Sequence, residues 1–269
     1  MRPDVRRYRL RHRSRPIDVL VAGRGRPVLL LHGWGLSGAA YRAAIAALAA
    51  RGFRVAAPGI SVAEGWSIEG VAEITAEAMA CVDAAPAAVV GHSFGGVIGA
   101  RLTLDHPDFV TSFVPVNAPL VTLGSVRLGR IMLPGRHYRV AGTRDAALSL
   151  LRSVTMPGGP TSLWRSARWF LGNGHADPLR TIAETGLPRA VVWATHDSLL
   201  PLGIGERVAE VLACPLVRVG SVDGWPHPRP PDHDWIFRAP DHFASVIERV
   251  LDNDARPRPS PADGSVDDG

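Results

Sequence analysis

The sequence predicts an α/β fold, with a mostly parallel central sheet and helices on both faces. Three observations carry that expectation. Short apolar runs alternate with amphipathic helical patterns along the chain. The apolar runs are continuous, as in Val28-Leu29-Leu30-Leu31, which marks strands buried on both faces. The residues suited to chemistry fall just past the ends of those runs, where open α/β sheets place ligands. A chain of 269 residues fits one such domain carrying an insertion and buries roughly three quarters of its unfolded surface.

The elements follow in order. Seven arginines crowd the first fifteen residues and read as a solvated leading hairpin. Pro27 to Leu31 is a strand, and Phe53 to Ala57 another. Ser67 to about Asp83 is a helix with Ile68, Val71, Thr75, Met79 and Val82 on one side. Ala87 to Val90 is a strand, followed by a helix-compatible stretch through His106. The sixth strand lies around Phe109 to Val116, and Arg189 to Ala194 is a buried strand. A helix from Leu202 to Leu212 precedes the final strand, Leu216 to Val219. The last helix, Asp241 to Leu251, puts Phe243, Val246, Ile247, Val250 and Leu251 on one stripe.

Between strand and helix stands Gly91-His92-Ser93-Phe94-Gly95, with Gly96 and Gly99 following. Strand, G-x-S-x-G, helix is the context of a nucleophile elbow, a turn so sharp that its serine is strained and held above the sheet. The flanking glycines of that motif must be small, because side chains there would collide with the neighbouring strand and helix. Ser93 is the expected nucleophile. Such a serine needs a base, an acid that orients the base, and an oxyanion hole. His32-Gly33-Trp34-Gly35, directly after the first parallel strand, suits the hole. The two donors are assigned to the backbone amides of Trp34 and Phe94, one of which is typically worth roughly 3 kcal/mol of barrier. His32 is read as hydrogen-bonding the loop rather than moving protons, and it is a candidate for the substrate pocket with Trp164 and Trp169.

On these residues the chain resembles the α/β-hydrolase family from about Ile17 to Leu251. The resemblance implies a carboxylate shortly after a late strand and a histidine before the last helix. Asp197, in Thr195-His196-Asp197-Ser198-Leu199-Leu200-Pro201, matches the first, with Thr195 where relatives often have glycine. Capping the following helix is the competing reading of Asp197. His233, seven residues before Pro240, matches the second; His227, set among prolines, is the reserve. His242 falls on the other face of the last helix and reads as solvated. The family's Asp-Arg-x-Gly-x-Gly loop is replaced here by Pro58-Gly59-Ile60-Ser61-Val62-Ala63-Glu64-Gly65, which alters the pocket wall.

The expected organisation is a first core part at 1–117, a helical cap insertion at 118–185, a second core part at 186–252 and a disordered tail at 253–269. Thr143 to Val154 and Pro160 to Leu171 read as cap helices. Trp164 and Trp169 are candidates for an apolar acyl pocket, together with Phe170, Leu128, Met132 and Leu133. The arginines of the cap, among them Arg127 and Arg136, are the competing suggestion of an acidic substrate.

Formal net charge is +5, yet all 30 basic residues are arginine, which reads as coding bias rather than selection for a polyanion. No nucleic-acid motif accompanies it. No apolar run approaches the ~18 residues of a membrane span. No cleavable leader pattern is present, so the expected compartment is the cytoplasm. Cys81 and Cys214 read as isolated buried thiols. Neither cofactor nor metal is expected. The expected activity is a serine hydrolase that cleaves a small or medium apolar carboxylic ester through an acyl-enzyme on Ser93. The alternatives are an acyltransferase or perhydrolase on the same triad, and a receptor-like binder of a small acyl ligand.

Overall fold

A computed structural model of the chain describes residues 3–12, 15–59, 67–121, 176–220 and 224–254, with positions 148, 151, 155 and 161 between them. Among the described residues the strands form a single sheet. They are β1 (Val5–His12), β2 (Arg15–Ala22), β3 (Arg26–Leu31), β4 (Phe53–Pro58), β5 (Ala87–His92), β6 (Val110–Val116), β7 (Val191–Ala194) and β8 (Leu216–Val219). Their order is β1-β2-β4-β3-β5-β6-β7-β8. The leading hairpin β1–β2 is antiparallel, as is β2 against β4; every later pairing is parallel.

Helices α1 (Arg42–Ala50), α2 (Ile68–Cys81), α3 (Phe94–Asp105), α4 (Ala176–Glu184), α5 (Leu202–Val211), α6 (Trp235–Arg238) and α7 (Pro240–Asp254) cover the two faces. Strand alternation sends successive side chains to opposite cores. Leu29, Leu31 and Val89 join the layer under α2, α3 and α5. Val28, Leu30, Ala88 and Val90 join the layer under α1 and α7. Burial on both faces is why these strands read as unbroken apolar runs.

Local signals set the helix limits. Ser67 accepts a hydrogen bond on Oγ from the Gly70 N–H, capping α2, a contact worth about 1 kcal/mol. The expected stripe of α2, from Ile68 to Val82, is buried throughout. So is the stripe of α7. In α5, Gly205 lies so close to the Trp193 ring that a Cβ would sit 2.5 Å from it.

Two boundaries differ from the expectation: the last helix continues to Asp254, past the expected start of the tail at 253, and the strand before Asp197 starts late. The strand begins at Val191, and Arg189 makes only an isolated bridge to Phe113. Its side chain is buried and fills a cage of carbonyls. Nε donates to Leu212 O at 2.7 Å, Nη1 to Thr185 O and Leu187 O at 3.0 and 2.8 Å, and Nη2 to Ala183 O at 2.7 Å. The guanidinium thereby satisfies the orphan carbonyls at the ends of α4 and α5.

Leu148, Leu151, Thr155 and Thr161 are helical. Trp164, Trp169, Phe170, Leu128, Met132, Leu133, Arg127 and Arg136 lie outside the described residues, as do positions 60–66 and 255–269. No helix among the described residues is long and apolar enough to cross a membrane.

Candidate active site

The parallel strands β3, β5, β6, β7 and β8 deliver their C-terminal ends to one edge of the sheet, and the site is built there. Ser93 occupies the turn from β5 into α3 with φ 53° and ψ −121°. A non-glycine residue at that conformation costs on the order of 1–3 kcal/mol and persists only when its surroundings enforce it. Here the Ser93 N–H donates to Val116 O at 2.9 Å, and Ser93 O accepts from the Gly96 N–H at 3.0 Å. The glycines follow from close approach. A Cβ on Gly91 would sit 2.5 Å from Gly95 O, and one on Gly95 would overlap the Leu31 carbonyl. A Cβ on Gly96 would overlap Ala118.

The loop after β3 is pinned on both sides of Gly33. The Gly33 N–H donates to Tyr41 Oη at 2.9 Å. The Gly33 carbonyl accepts from the Leu36 N–H at 3.2 Å and from His32 Nδ1 at 3.0 Å. A carbonyl only accepts, so His32 carries its proton on Nδ1. Because the peptide is planar and trans, fixing that carbonyl aims the Trp34 N–H in the opposite direction. His32 is 5% exposed, and burial lowers its pKa to about 4 against the pull of its bond to Gly33. Its Nδ1 is thus committed to the loop, as the sequence reading expected of the ring. Phe94, buried at the first position of α3, follows Ser93 directly.

Asp197 and His233 meet. His233 Nδ1 donates to Asp197 Oδ2 at 2.7 Å, with both side chains buried. The other carboxylate oxygen, Oδ1, accepts the Leu199 and Leu200 N–H groups at 2.8 and 2.7 Å. Asp197 therefore organises its own turn as well as holding the imidazole, and it does not cap the following helix as the competing reading had it. The N-cap of α5 is Pro201.

Two residues missed in the sequence complete this cluster. Asn117, at φ 45° just past β6, is wholly buried. Its Nδ2 donates to Asp197 Oδ2 at 2.6 Å, and its Oδ1 accepts from Trp235 Nε1 at 2.9 Å. Asp232 accepts from the His233 N–H and the Ser198 N–H, both at 2.7 Å, tying the histidine loop to the aspartate loop. The available signal for Asn117 was its position, a polar residue directly after an apolar strand.

Burial alone would depress the His233 imidazolium. The charge and hydrogen bond of Asp197, aided by the charges of Asp232 and Asp234, outweigh it, and the pKa lies above its ordinary value. Asp234 itself is raised, chiefly by burial, despite the ion pair with Arg238 at 2.8 Å.

His227, His196 and His242 stand apart from the Asp197–His233 pair. His227 Nε2 bonds the Arg238 carbonyl at 2.9 Å on the exposed side, and His196 pairs with its neighbour Thr195 at 3.0 Å. His242 departs from the expectation of a solvated ring. It is half-buried against Trp225 and Trp235, at ring-centroid distances of 5.6 and 6.4 Å. The loop before α6 folds back onto α7 and covers it. Cys81 is exposed rather than buried. Among the described residues no group of three His, Cys, Asp or Glu is arranged to hold a metal ion.

The parallel sheet, the strained serine at the end of β5 and the Asp–His pair past β7 and β8 define a class. The chain belongs to the alpha/beta hydrolase fold family, whose model matches residues 26–136. It is 32% identical over 191 residues to a pimeloyl-[acyl-carrier protein] methyl ester esterase of Aeromonas hydrophila, covering 68% of this chain and 74% of that one. It is 24% identical over 262 residues to a putative non-heme haloperoxidase of Mycobacterium phage D29, with 87% and 91% of the chains covered. A bromoperoxidase structure from Bacillus anthracis shares the fold, with a TM-score of 0.70 at 17% identity over 92% of this chain and 100% of that one.

Proposed function

We propose that the protein is a serine hydrolase that cleaves a carboxylic ester of small or medium size through an acyl-enzyme on Ser93. The observation that carries this reading is the 2.7 Å bond from His233 Nδ1 to Asp197 Oδ2. It commits one ring nitrogen to a carboxylate and leaves Nε2 as the nitrogen that exchanges protons with Ser93. The elbow and the esterase relative support the same reading.

In the proposed mechanism His233 Nε2 takes the Ser93 Oγ proton as that oxygen attacks the ester carbonyl carbon. The carbonyl π electrons move to oxygen, and the backbone N–H groups of Trp34 and Phe94 receive the oxyanion. Asp197 holds the imidazolium without taking its proton. Collapse of the tetrahedral intermediate expels the alkoxide, which His233 protonates. Water, deprotonated by the same nitrogen, then attacks the acyl-enzyme and returns Ser93.

The haloperoxidase relative favours a second fate for that acyl-enzyme. A peroxidase uses peroxide, and hydrogen peroxide attacking in place of water releases a peracid. Both fates require Ser93. The test is a panel of p-nitrophenyl esters of rising acyl length, with and without hydrogen peroxide, run beside Ser93→Ala. Turnover abolished in Ser93→Ala supports the reading, and turnover that survives there rejects it. Peracid formed only with peroxide identifies the second fate.

A further inference from the structure

Three hydrogen bonds join the three loops of the site through two side chains that the proposed mechanism does not use. The Gly33 N–H donates to Tyr41 Oη at 2.9 Å. Tyr41 Oη lies 2.6 Å from His92 Nδ1. His92 Nε2 lies 3.1 Å from the backbone carbonyl of His233. The ends of this chain settle its direction. An amide N–H only donates and a carbonyl only accepts, so Tyr41 Oη accepts from the Gly33 N–H and donates its own O–H to His92 Nδ1. His92 then carries its proton on Nε2 and donates that N–H to His233 O.

Both middle members are held in the states this polarity needs. Tyr41 is 1% exposed and His92 2% exposed. Burial lowers the His92 pKa well below the ordinary value, and the neighbouring charge of His233 adds to that despite the bond to its carbonyl. Burial raises the Tyr41 hydroxyl, against its bond to Gly33. The rings packed against His92 include Tyr41, the Phe237 edge and the His233 ring, whose centroid is 5.0 Å away. Tyr41 packs edge-on against Phe237 at 4.9 Å.

We propose that Tyr41 and His92 form a positioning relay that sets the oxyanion-hole loop, the elbow and the base loop in register with one another. The inference rests on the Ser93 hydrolase reading above. Gly33 precedes one assigned hole donor, His92 precedes the nucleophile, and His233 is the assigned base. Each is gripped by its backbone or by its immediate neighbour. A shift of one loop is therefore felt at both others, because the intervening groups are buried and close-packed. Neither residue touches the reacting atoms.

The test removes one oxygen. Tyr41→Phe keeps the ring against Phe237 and deletes the acceptor for Gly33 together with the donor for His92. The expected result is a kcat lower by about ten- to a hundred-fold with KM changed less than about twofold, as loss of alignment without loss of substrate contact requires. The rate at which a fluorophosphonate labels Ser93 falls in parallel. A purely structural role would lower the melting temperature and leave kcat of the folded protein intact, and that result overturns the relay. Histidine ¹⁵N NMR of the unaltered protein gives a test independent of whether the variant folds. The relay requires the Nε2–H tautomer of His92; the Nδ1–H tautomer overturns it. If the unaltered protein shows the expected tautomer but Ser93 is never labelled, the hydrolase reading fails and the relay loses its catalytic role with it.

Discussion

Asn117 donates a 2.6 Å hydrogen bond from Nδ2 to Asp197 Oδ2, the same oxygen that receives His233 Nδ1. Trp235 Nε1 holds the other end of that amide. One buried asparagine thus fixes both the carboxylate and the helix that follows His233. Asn117→Ala leaves the indole N–H without its acceptor and strips one donor from Asp197. The expected cost is about 2–4 kcal/mol of stability. Ester turnover should fall about tenfold or more as the carboxylate loosens. Urea denaturation and p-nitrophenyl ester kinetics measure the two effects.

Activity should depend on the protonation of His233. Three carboxylates outweigh burial and hold its proton more tightly than in a free imidazole. A base must be neutral, so kcat/KM should rise with pH through a midpoint above the ordinary value of about 6.5. Stability runs the other way. The contribution of this group is fully present below about 6.5 and is lost as pH rises through the folded pKa. A pH–rate profile whose acid limb lies below 6.5 contradicts this prediction.

His32 behaves oppositely. Folding holds it neutral with a pKa of about 4, while the unfolded chain binds a proton near pH 6.5. Its stabilising contribution is complete above about 6.5 and declines as pH falls from there towards 4. His92, also lowered, adds to the same trend. His32→Asn keeps a side-chain donor without a group that charges in this range, and it should flatten the acid fall of the urea midpoint.

Arg189 makes a prediction about stability alone. Arg189→Met leaves the carbonyls of Ala183, Thr185, Leu187 and Leu212 without that donor. The loss should be about 3 kcal/mol or more. Arg189→Lys should not rescue it, because an ammonium cannot span the same fork. Thermal melts of the two variants against the unaltered chain settle the point.

What could be read from the sequence follows a physical line. Ser93 stood out in the sequence through the strand, G-x-S-x-G, helix context, and Asp197 and His233 through the family resemblance, which implies polar residues just past a late strand and before the last helix. The α2 and α7 stripes were legible because burial imposes a 3.6-residue period on them. Asn117 obeys the same positional rule as Asp197, yet a lone asparagine after a strand carries no chemistry until its partners are known. Tyr41 is linked to His92 across 51 residues of chain, and His92 to His233 across 141. Such a connection exists only once the strands are ordered in space. Arg189 reads as the start of a strand because the apolar run around it masks a buried cation whose partners are helix ends. The half-burial of His242 escaped for a related reason, since the face it occupies is covered by a loop rather than by a periodic element.

The acyl-enzyme is the central claim, and trapping it tests that claim most directly. The protein is mixed with a p-nitrophenyl ester, quenched in acid within the first turnover, digested and analysed by mass spectrometry. The account predicts the acyl mass on the peptide that contains Ser93 and its disappearance in Ser93→Ala. An acyl group on any other residue, or undiminished ester turnover in Ser93→Ala, contradicts it.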